Sequence, residues 1–552
     1  MNTLMCWSCD FETTTDENDC RVWAWIAINI EKNNLKIYGN SMESFLDWAF
    51  GIDRTLYFHN AKFDCAFIID YLLKHEFKCM ENRGLTDKQF TCLVSDKGMF
   101  YSMQMQDNGV KVKIIDSLKI LPYSVDAIAK GWNLEIRKLE LDYREYRAPG
   151  HELTEHEKEY ITNDALIVAQ ALYITFSMGD TKITAASNAF HYYVNKVRHG
   201  KKDFRRVFPV PENDKFIRRA YHGGFTFVNP KFQGKIVGAG NVYDVNSLYP
   251  SVLHSPHQYP YGEPEYFSGE YEYDATFPLY FQRFSCSFEI KKNFFPTVQL
   301  KNNFGYEPTE YVYKSHDIVE FVMTSIDLKL FFDHYNVDNL KFIDGYKYKA
   351  SSILFDDYID HWYEQKRKSK EEGNMALYQL SKLKLNSFYG KMATSPVVAS
   401  RYPYLKNDVV SWYCTPQEDR EPIYIPVGAY VTSYARNVTI RAAQKCHDFF
   451  CYADTDSIHL LGDKIPDIEI DDYKLGAWKH ESHFTKAKFL RAKLYIEENK
   501  KLEVKGAGMT KTVKERVNFD NFHMGMEYDG KLRQKTVSGG IVLVDTTFKI
   551  RP

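Results

Sequence analysis

The stretch FFCYADTDSIHLL, residues 449 to 461, constrains this chain more than any other. Phe449, Phe450 and Cys451 lead in and Ile458, Leu460 and Leu461 lead out, so the pattern predicts a strand, a tight turn and a returning strand. Asp454 and Asp456 then sit at a hairpin tip. Turn chemistry by itself accounts for Asp and Ser at such a place. The sharper reading is a divalent metal held by carboxylates for phosphoryl transfer, and it requires another acid from elsewhere in the chain.

A chain of 552 residues is too long for one hydrophobic core, and 44% hydrophobic residues are ample for several domains. The ten cysteines are scattered, and the start MNTLMCWSCD has no charged region followed by a long apolar one. This points to a reduced, non-secreted, soluble protein. No segment is long and apolar enough to span a membrane. Cys6 and Cys9 form a C-x-x-C without a second pair at zinc spacing, so they read as incidental thiols on a strand. The net charge of −2 hides segregation: basic residues crowd His191 to His222, Trp478 to Arg516, and QKRKSK at 365 to 370. Such runs suit a solvated face and, beside aromatics, a path for a phosphate backbone.

The partner acid lies in NVYDVNSLYPSVL, where a short strand leads into Asp244 and a helix begins around Ser247 to Pro250. If that strand lies beside the hairpin, Asp244 and Asp456 bracket two Mg²⁺ ions roughly 3.5 to 4 Å apart. Cations for a triphosphate come from NMALYQLSKLKLNSFYGKMA, in which Lys382, Asn386 and Tyr389 share one helix face. The preceding FDDYIDHWYEQKRK is a second helix, with Lys366 in line with its apolar face and KSKEEGN as the turn after it. An amphipathic hairpin with solvated lysines has the same pattern. Near the amino terminus, Asp10 and Glu12 lie two apart on a strand, and Asp64 lies where a strand enters a helix. Tyr160 and Asp164 are one turn apart on a helix opened by a Thr154 to Glu157 capping box.

The ordered set Asp244-x-x-Ser247-Leu248-Tyr249-Pro250-Ser251, Lys382-x-x-x-Asn386-Ser387-x-Tyr389-Gly390 and Tyr452-x-Asp454-Thr455-Asp456-Ser457 resembles motifs A, B and C of the family B DNA polymerases. Ala453 and Phe388 depart from the usual Gly and Leu without touching a ligand. The resemblance implies that Asp244 and Asp456 are the catalytic metal pair, with Asp454 in support and Val245 joining the metal and nucleotide site. It implies that Tyr249 selects deoxynucleotides and that Lys366, Lys382, Asn386 and Tyr389 bind the dNTP. Asp10 and Glu12, then His59-Asn60-x-x-Phe63-Asp64, then Tyr160-x-x-x-Asp164 resemble the exonuclease motifs of the same family. They imply a 3′ to 5′ exonuclease in which Asp10, Glu12, Asp64 and Asp164 hold metals, Tyr160 orients the attacking water and Lys138 assists.

Tyr221-x-Gly223-Gly224, Thr432-Ser-Tyr-Ala-Arg436, Lys493-x-Tyr495 and Ser117-Leu118 are similar to stretches of the protein-primed branch, the phi-twenty-nine-type bacteriophage polymerases. Tyr434 stands where Trp is usual, and the stretch from Tyr495 to Gly506 is short. These stretches, with Thr13, Tyr57, His59, Asn60 and Phe63, are implied DNA contacts. The implied fold is α/β (α+β multidomain): a ribonuclease-H-like exonuclease at 1–185, and a right-hand polymerase with palm at 186–255 and 428–506, fingers at 351–395 and thumb at 507–552. Insertions at 256–350 and 396–427 are expected to meet a terminal protein and to clamp DNA for strand displacement and processivity. The implied cofactor is Mg²⁺, two per site, with Mn²⁺ as a substitute. Implied partners are primer-template DNA, dNTPs, a terminal-protein primer and a phage single-stranded-DNA-binding protein, around a monomer in the host cytoplasm. Two rival readings are a nuclease with a non-catalytic nucleic-acid-binding module and a nucleotide-sugar transferase using D-T-D. The first gives a binding surface no use for opposed acids, and the second leaves the amino-terminal acids and the Lys382 face unexplained.

Overall fold

Alternation along the first strand, Cys6–Thr13, decides how the amino-terminal third is layered. Trp7, Cys9 and Phe11 enter one core with Phe45, Phe58 and Phe67, which leaves Asp10 and Glu12 on the other face. The computed structural model describes residues 5–81, 84–142, 145–299 and 311–551. In it this strand is central to an eight-stranded mixed sheet, antiparallel to Val22–Asn29 and parallel to Arg54–Phe58. Val22–Asn29 is apolar almost throughout because both its faces are covered: Trp25 and Ala27 enter the first core, Ala24, Ile26 and Ile28 a second. The helix Glu155–Ser177 roofs that second core with Ile161, Ala165, Val168 and Leu172. It starts with the expected capping box, the Glu157 N–H donating to the Thr154 hydroxyl at 3.2 Å and the Thr154 N–H to the Glu157 carboxylate at 3.0 Å.

A five-stranded antiparallel sheet runs Trp478–Phe484, Gly240–Val245, Ser457–Leu461, Phe450–Asp454 and Thr226–Val228 in spatial order. The expected hairpin is its third and fourth strands. The helix Ile425–Lys445 covers the rear, packing Ile440 and Ala443 against Phe450, Ala453 and Ile458. Beside this sheet lie the two expected helices, Asp356–Glu371 and Met375–Met392. Their connection is shorter than KSKEEGN, because Lys368 to Glu371 continue the first helix.

Met375–Met392 is anchored on its far side. Ala376 and Leu380 belong to the core of the amino-terminal sheet, and Lys384 forms a buried ion pair with Asp180 while lying 5.9 and 5.4 Å from the Tyr192 and Trp362 ring centres. Removing one partner of a buried pair leaves an uncompensated charge. Lys384→Met is therefore expected to cost about 3–5 kcal/mol, read as an earlier thermal transition, and Lys384→Met/Asp180→Leu should recover most of it.

A four-stranded sheet of Tyr259–Ser268, Tyr335–Ser351, Leu279–Ile290 and Val319–Thr324 occupies the first insertion, and the hairpin Arg401–Lys406 with Val409–Cys414 the second. Near the carboxyl terminus, Leu490, Leu494 and Ile496 share one core with Met509, Val513 and Phe522, across the expected boundary at 506/507. The terminal hairpin, Glu527–Val537 with Gly540–Lys549, returns to the amino-terminal sheet, where Val542 is buried in its core. Gly539 lies at φ +94°, and a Cβ there would stand 2.0 Å from the Cys20 carbonyl oxygen, so only glycine lets the tip seat. At that tip the Lys74 ammonium donates to the Ser538 hydroxyl at 2.7 Å, and Ser538 donates to Asp408 of the second insertion at 2.5 Å. Three distant parts of the chain thus meet at one point.

Part of the basic run from His191 to His222 is used inside the protein: Arg198, Arg205 and Arg218 are half-buried, whereas Lys196, Lys201, Lys202, Arg206, Lys215 and Arg219 stay exposed. Arg198 donates to Tyr193 and Leu354, Arg205 to Ile423 and Glu421, and Arg218 to Asp214 and Ala393. Guanidinium groups here tie segments far apart in sequence, a use that charge counting does not separate from binding.

Candidate active sites

Asp244 ends its strand directly opposite Ser457, which puts it beside the D-T-D turn. The Val245 N–H donates to the Asp456 carbonyl at 2.8 Å and fixes the two acids relative to each other. The turn holds Thr455 at φ +67°, its N–H donating to Phe225 and its carbonyl accepting from the Thr439 hydroxyl, each at 2.7 Å. Ser247, three residues after Asp244, has φ +57°. Such conformations cost about 1–3 kcal/mol each and persist where the surroundings over-determine them. Both flank the acids.

Burial pushes the Asp244 carboxyl up to about 7, with Asp456 and Glu481 adding repulsion. Burial likewise raises Asp456, with Asp454 and Glu481 adding to it. Crowded, half-buried carboxylates of this kind are stabilised as anions by a divalent cation. Around them stand the expected nucleotide contacts. The Lys366 ammonium donates to the Ser247 hydroxyl at 3.0 Å, Lys382 and Asn386 are exposed on one helix face, and the Tyr389 ring stacks on Tyr249 at 4.2 Å. Lys493 pairs with Asp454 at 2.8 Å, its N–H donates to the Tyr452 hydroxyl at 2.9 Å, and the Tyr495 and Tyr452 ring centres lie 4.9 Å apart.

Gly224 closes this site from behind. A Cβ there would lie 2.7 Å from Thr455 Cγ2 and 3.1 Å from the Tyr249 hydroxyl oxygen. Gly224→Ala is therefore expected to displace the turn and Tyr249 together at a cost of about 1–3 kcal/mol. Primer extension should fall at least about tenfold, with single-strand degradation unaltered.

The second cluster lines a cleft of about 840 Å³ in the amino-terminal domain: Asp10, Glu12, Thr13, His59, Asn60, Phe63, Asp64, Lys138, Tyr160 and Asp164 all reach it. Leu532 and Leu543 of the terminal hairpin form its outer wall. Burial, with repulsion from Asp164, pushes Asp10 up to about 7. Burial also holds Glu12 and Asp64 well above the usual carboxylate range, and raises Asp164 despite its ion pair with Lys138. The Lys138 ammonium lies 5.6 Å from the centre of the buried Tyr160 ring. Asp164 Oδ1 is buried and accepts no hydrogen bond.

An oxygen-ligated divalent cation fits both clusters. Among the described residues no three His, Cys, Asp or Glu side chains are arranged to hold an ion by themselves. Each cluster instead offers a few carboxylates beside open space, the donor set that Mg²⁺ takes when substrate phosphates complete its shell. The orphaned Asp164 oxygen and the raised carboxyls are what such an ion would satisfy.

Four expected DNA contacts do not face either cleft. Tyr57 is buried against Phe176, and the buried Ser117 hydroxyl donates to the Phe58 carbonyl at 3.1 Å. The Thr432 hydroxyl donates back to its own helix. Arg436 donates to the carbonyls of His222 and Gly223 at 2.8 and 2.7 Å and pairs with Asp327. These side chains hold the contact segments in place from beneath. Asp116 and Asp327 were not expected in the sites. The buried Asp116 carboxylate accepts from the N–H groups of both Asn60 and Leu118 at 3.0 Å, joining two contact segments. The acid before Ser117-Leu118 in IIDSLK was the available signal for it. Nothing near Asp327 in the sequence marks its pairing with Arg436, 109 residues away.

The model of the DNA polymerase type B family, organellar and viral, matches residues 52–148 and 140–475. The DNA polymerase of Bacillus phage Nf is 43% identical over 577 residues and that of Streptococcus phage Cp-1 31% identical over 574, spanning 99% and 98% of both chains respectively. Phi29 DNA polymerase solved with primer-template DNA and incoming nucleotide superposes with a TM-score of 0.92 at 41% identity, over 99% of this chain and 100% of that one. The same polymerase solved with single-stranded DNA gives 0.92 at 40% identity, with the same coverage. Fold and sites together define a DNA polymerase of type B, and the chain belongs to that family. Within the family it is of the phi29 type, and membership carries a general dependence on divalent metal.

Proposed function

We propose that this chain is a DNA-directed DNA polymerase that replicates a viral genome and carries a 3′ to 5′ exonuclease for proofreading. The observation that carries the reading is the presence of two separate clusters of crowded carboxylates with raised pKa, one beside Lys366 and Lys382 and one beside Lys138, in a chain similar end to end to a polymerase solved with primer-template DNA and nucleotide. The absence of a purely binding role for opposed acids disfavours a nuclease with a passive module.

In the synthetic site Lys366 and Lys382 receive the triphosphate, the stacked Tyr249 and Tyr389 rings form the floor under base and sugar, and Tyr249 excludes a ribose 2′-hydroxyl. Lys493 and Tyr495, anchored on Asp454 and Tyr452, hold the primer end so that its 3′ oxygen reaches the α-phosphorus and pyrophosphate leaves. Two Mg²⁺ ions held by Asp244, the Val245 backbone and Asp456 would lower the pKa of that hydroxyl and offset charge on the leaving group. In the degrading site Thr13, His59, Asn60 and Phe63 take the frayed strand, and Tyr160 with Lys138 orients the attacking water toward the last phosphodiester. Asp10, Glu12, Asp64 and Asp164 would hold the metals there.

This reading assigns the domain roles as exonuclease 1–185, palm 186–255 and 428–506, fingers 351–395, thumb 507–552, and two insertions. Contact among Ser538, Asp408 and Lys74 supports a ring around DNA that gives processivity and strand displacement without a separate clamp. A terminal-protein hydroxyl as the first primer, and a single-stranded-DNA-binding protein in the host cytoplasm, complete the reading. No helix among the described residues is long and apolar enough to cross a membrane.

The test is extension of a 5′-labelled primer on circular single-stranded DNA with Mg²⁺ and dNTPs. Product longer than one circle is expected. Shortening of the primer without extension would overturn the polymerase reading and leave the nuclease with a binding module.

A further inference from the structure

The cations around the carboxylates of the synthetic site exceed Lys366 and Lys382. Lys479 lies on the strand Trp478–Phe484 directly opposite Asp244. Residues directly opposite across an antiparallel pair project from the same face with Cβ atoms about 4.5–5.5 Å apart. The Lys479 side chain therefore leaves the sheet alongside the Asp244 carboxylate. The strand pairing slips between Val242 and Tyr243, leaving Glu481 as the extra residue, so the bulge sets which side chains of this edge strand point at the site.

Lys479 is exposed, and its ammonium closes on no carboxylate among the described residues, Asp244 included. Its charge bears on Asp244 and on a neighbouring lysine as well. The positive charges of Lys382, Lys370 and Lys479 all bear on the half-buried Lys366 ammonium, with Asp244 as the acid that offsets them. Lys366, Lys370 and Lys382 are carried by the two helices Asp356–Glu371 and Met375–Met392, whereas Lys479 comes from the sheet on the opposite side. An unpaired cation cluster built from two walls is costly unless a polyanion is its partner.

We propose that Lys479 is a further substrate-binding residue of the synthetic site, the sheet-borne cation that receives the terminal phosphates of the incoming nucleotide and holds the pyrophosphate as it leaves. The proposal rests on the polymerase reading above. The helix lysines grip the triphosphate from one side, and Lys479 meets it from the side of Asp244. Because the contact is to the polyphosphate, it is the same for all four dNTPs.

The experiment is steady-state single-nucleotide incorporation by the full chain, with inorganic pyrophosphate as a competing probe, for the unaltered protein, Lys479→Ala and Lys479→Arg. Lys479→Ala is expected to raise the dNTP KM about tenfold with kcat within twofold, and to weaken pyrophosphate inhibition by a similar factor. Lys479→Arg should return both to within about threefold. Single-strand degradation by each variant reports that the chain is folded. An unmoved KM and unmoved pyrophosphate inhibition in Lys479→Ala would overturn the proposal. So would a fall in kcat alone, which would place Lys479 on Asp244 rather than on substrate. Failure of the unaltered chain to incorporate any nucleotide would instead sink the polymerase reading itself.

Discussion

Asp456→Ala is expected to lower nucleotide incorporation by about 10³-fold or more while primer shortening in the absence of dNTPs proceeds at its original rate. Asp456 and Asp244 are half-buried, crowded carboxylates, and the Val245 to Asp456 hydrogen bond fixes their relation. Removing one halves the negative charge of the pair; Asp454 is already paired with Lys493, and the other acid that bears on the pair, Glu481, is exposed on the edge strand Trp478–Phe484. The Asp456 backbone keeps its bonds to Val245 and Asp454, so the turn should survive the change. The assay is extension of a labelled primer with rate and product length read together. A loss of less than tenfold would move the chemistry away from this pair.

The mirror result is expected for Asp164→Ala. Primer shortening should fall by about 10³-fold, with extension within twofold of the original. Asp164 holds Lys138, which lies over Tyr160, and its second oxygen has no hydrogen-bond partner of its own. The variant therefore loses a metal ligand and releases the cation that positions the tyrosine. Misincorporated ends should then persist, measurable as an increased error frequency in the long product. Equal loss of both activities would contradict two independent sites. A chelator should abolish both activities in the unaltered chain, and Mg²⁺ should restore both.

Much of both sites was legible because their chemistry is written locally. Asp454 and Asp456 are bound to share a hairpin tip once Phe450 and Ile458 are strands, and Tyr160 and Asp164 must share a helix face once Thr154 and Glu157 cap it. Residues with roles beneath the surface were not legible in the same way. Tyr57, Ser117, Thr432 and Arg436 stand in contact-bearing stretches yet are buried, because a stretch can approach DNA with one side chain while its neighbour anchors the backbone. Asp327 and Asp116 act on segments remote in sequence, and only folding brings them there. Arg198, Arg205 and Arg218 show the converse, members of a charge run that bond backbone carbonyls inside the protein.

By itself the sequence determined the acids, their spacing within each strand or helix, and the periodicities that sort each strand between two cores. Those are short-range consequences of backbone geometry, fixed within a few residues. Only the tertiary structure decided that Asp244 stands opposite both Ser457 and Lys479, that Leu532 and Leu543 wall the amino-terminal cleft, and that Asp180 grips the back of the helix Met375–Met392. Strand register and ion pairs between distant segments are settled by which arrangement buries the most apolar surface with every buried charge matched, and that balance is struck over the whole chain at once.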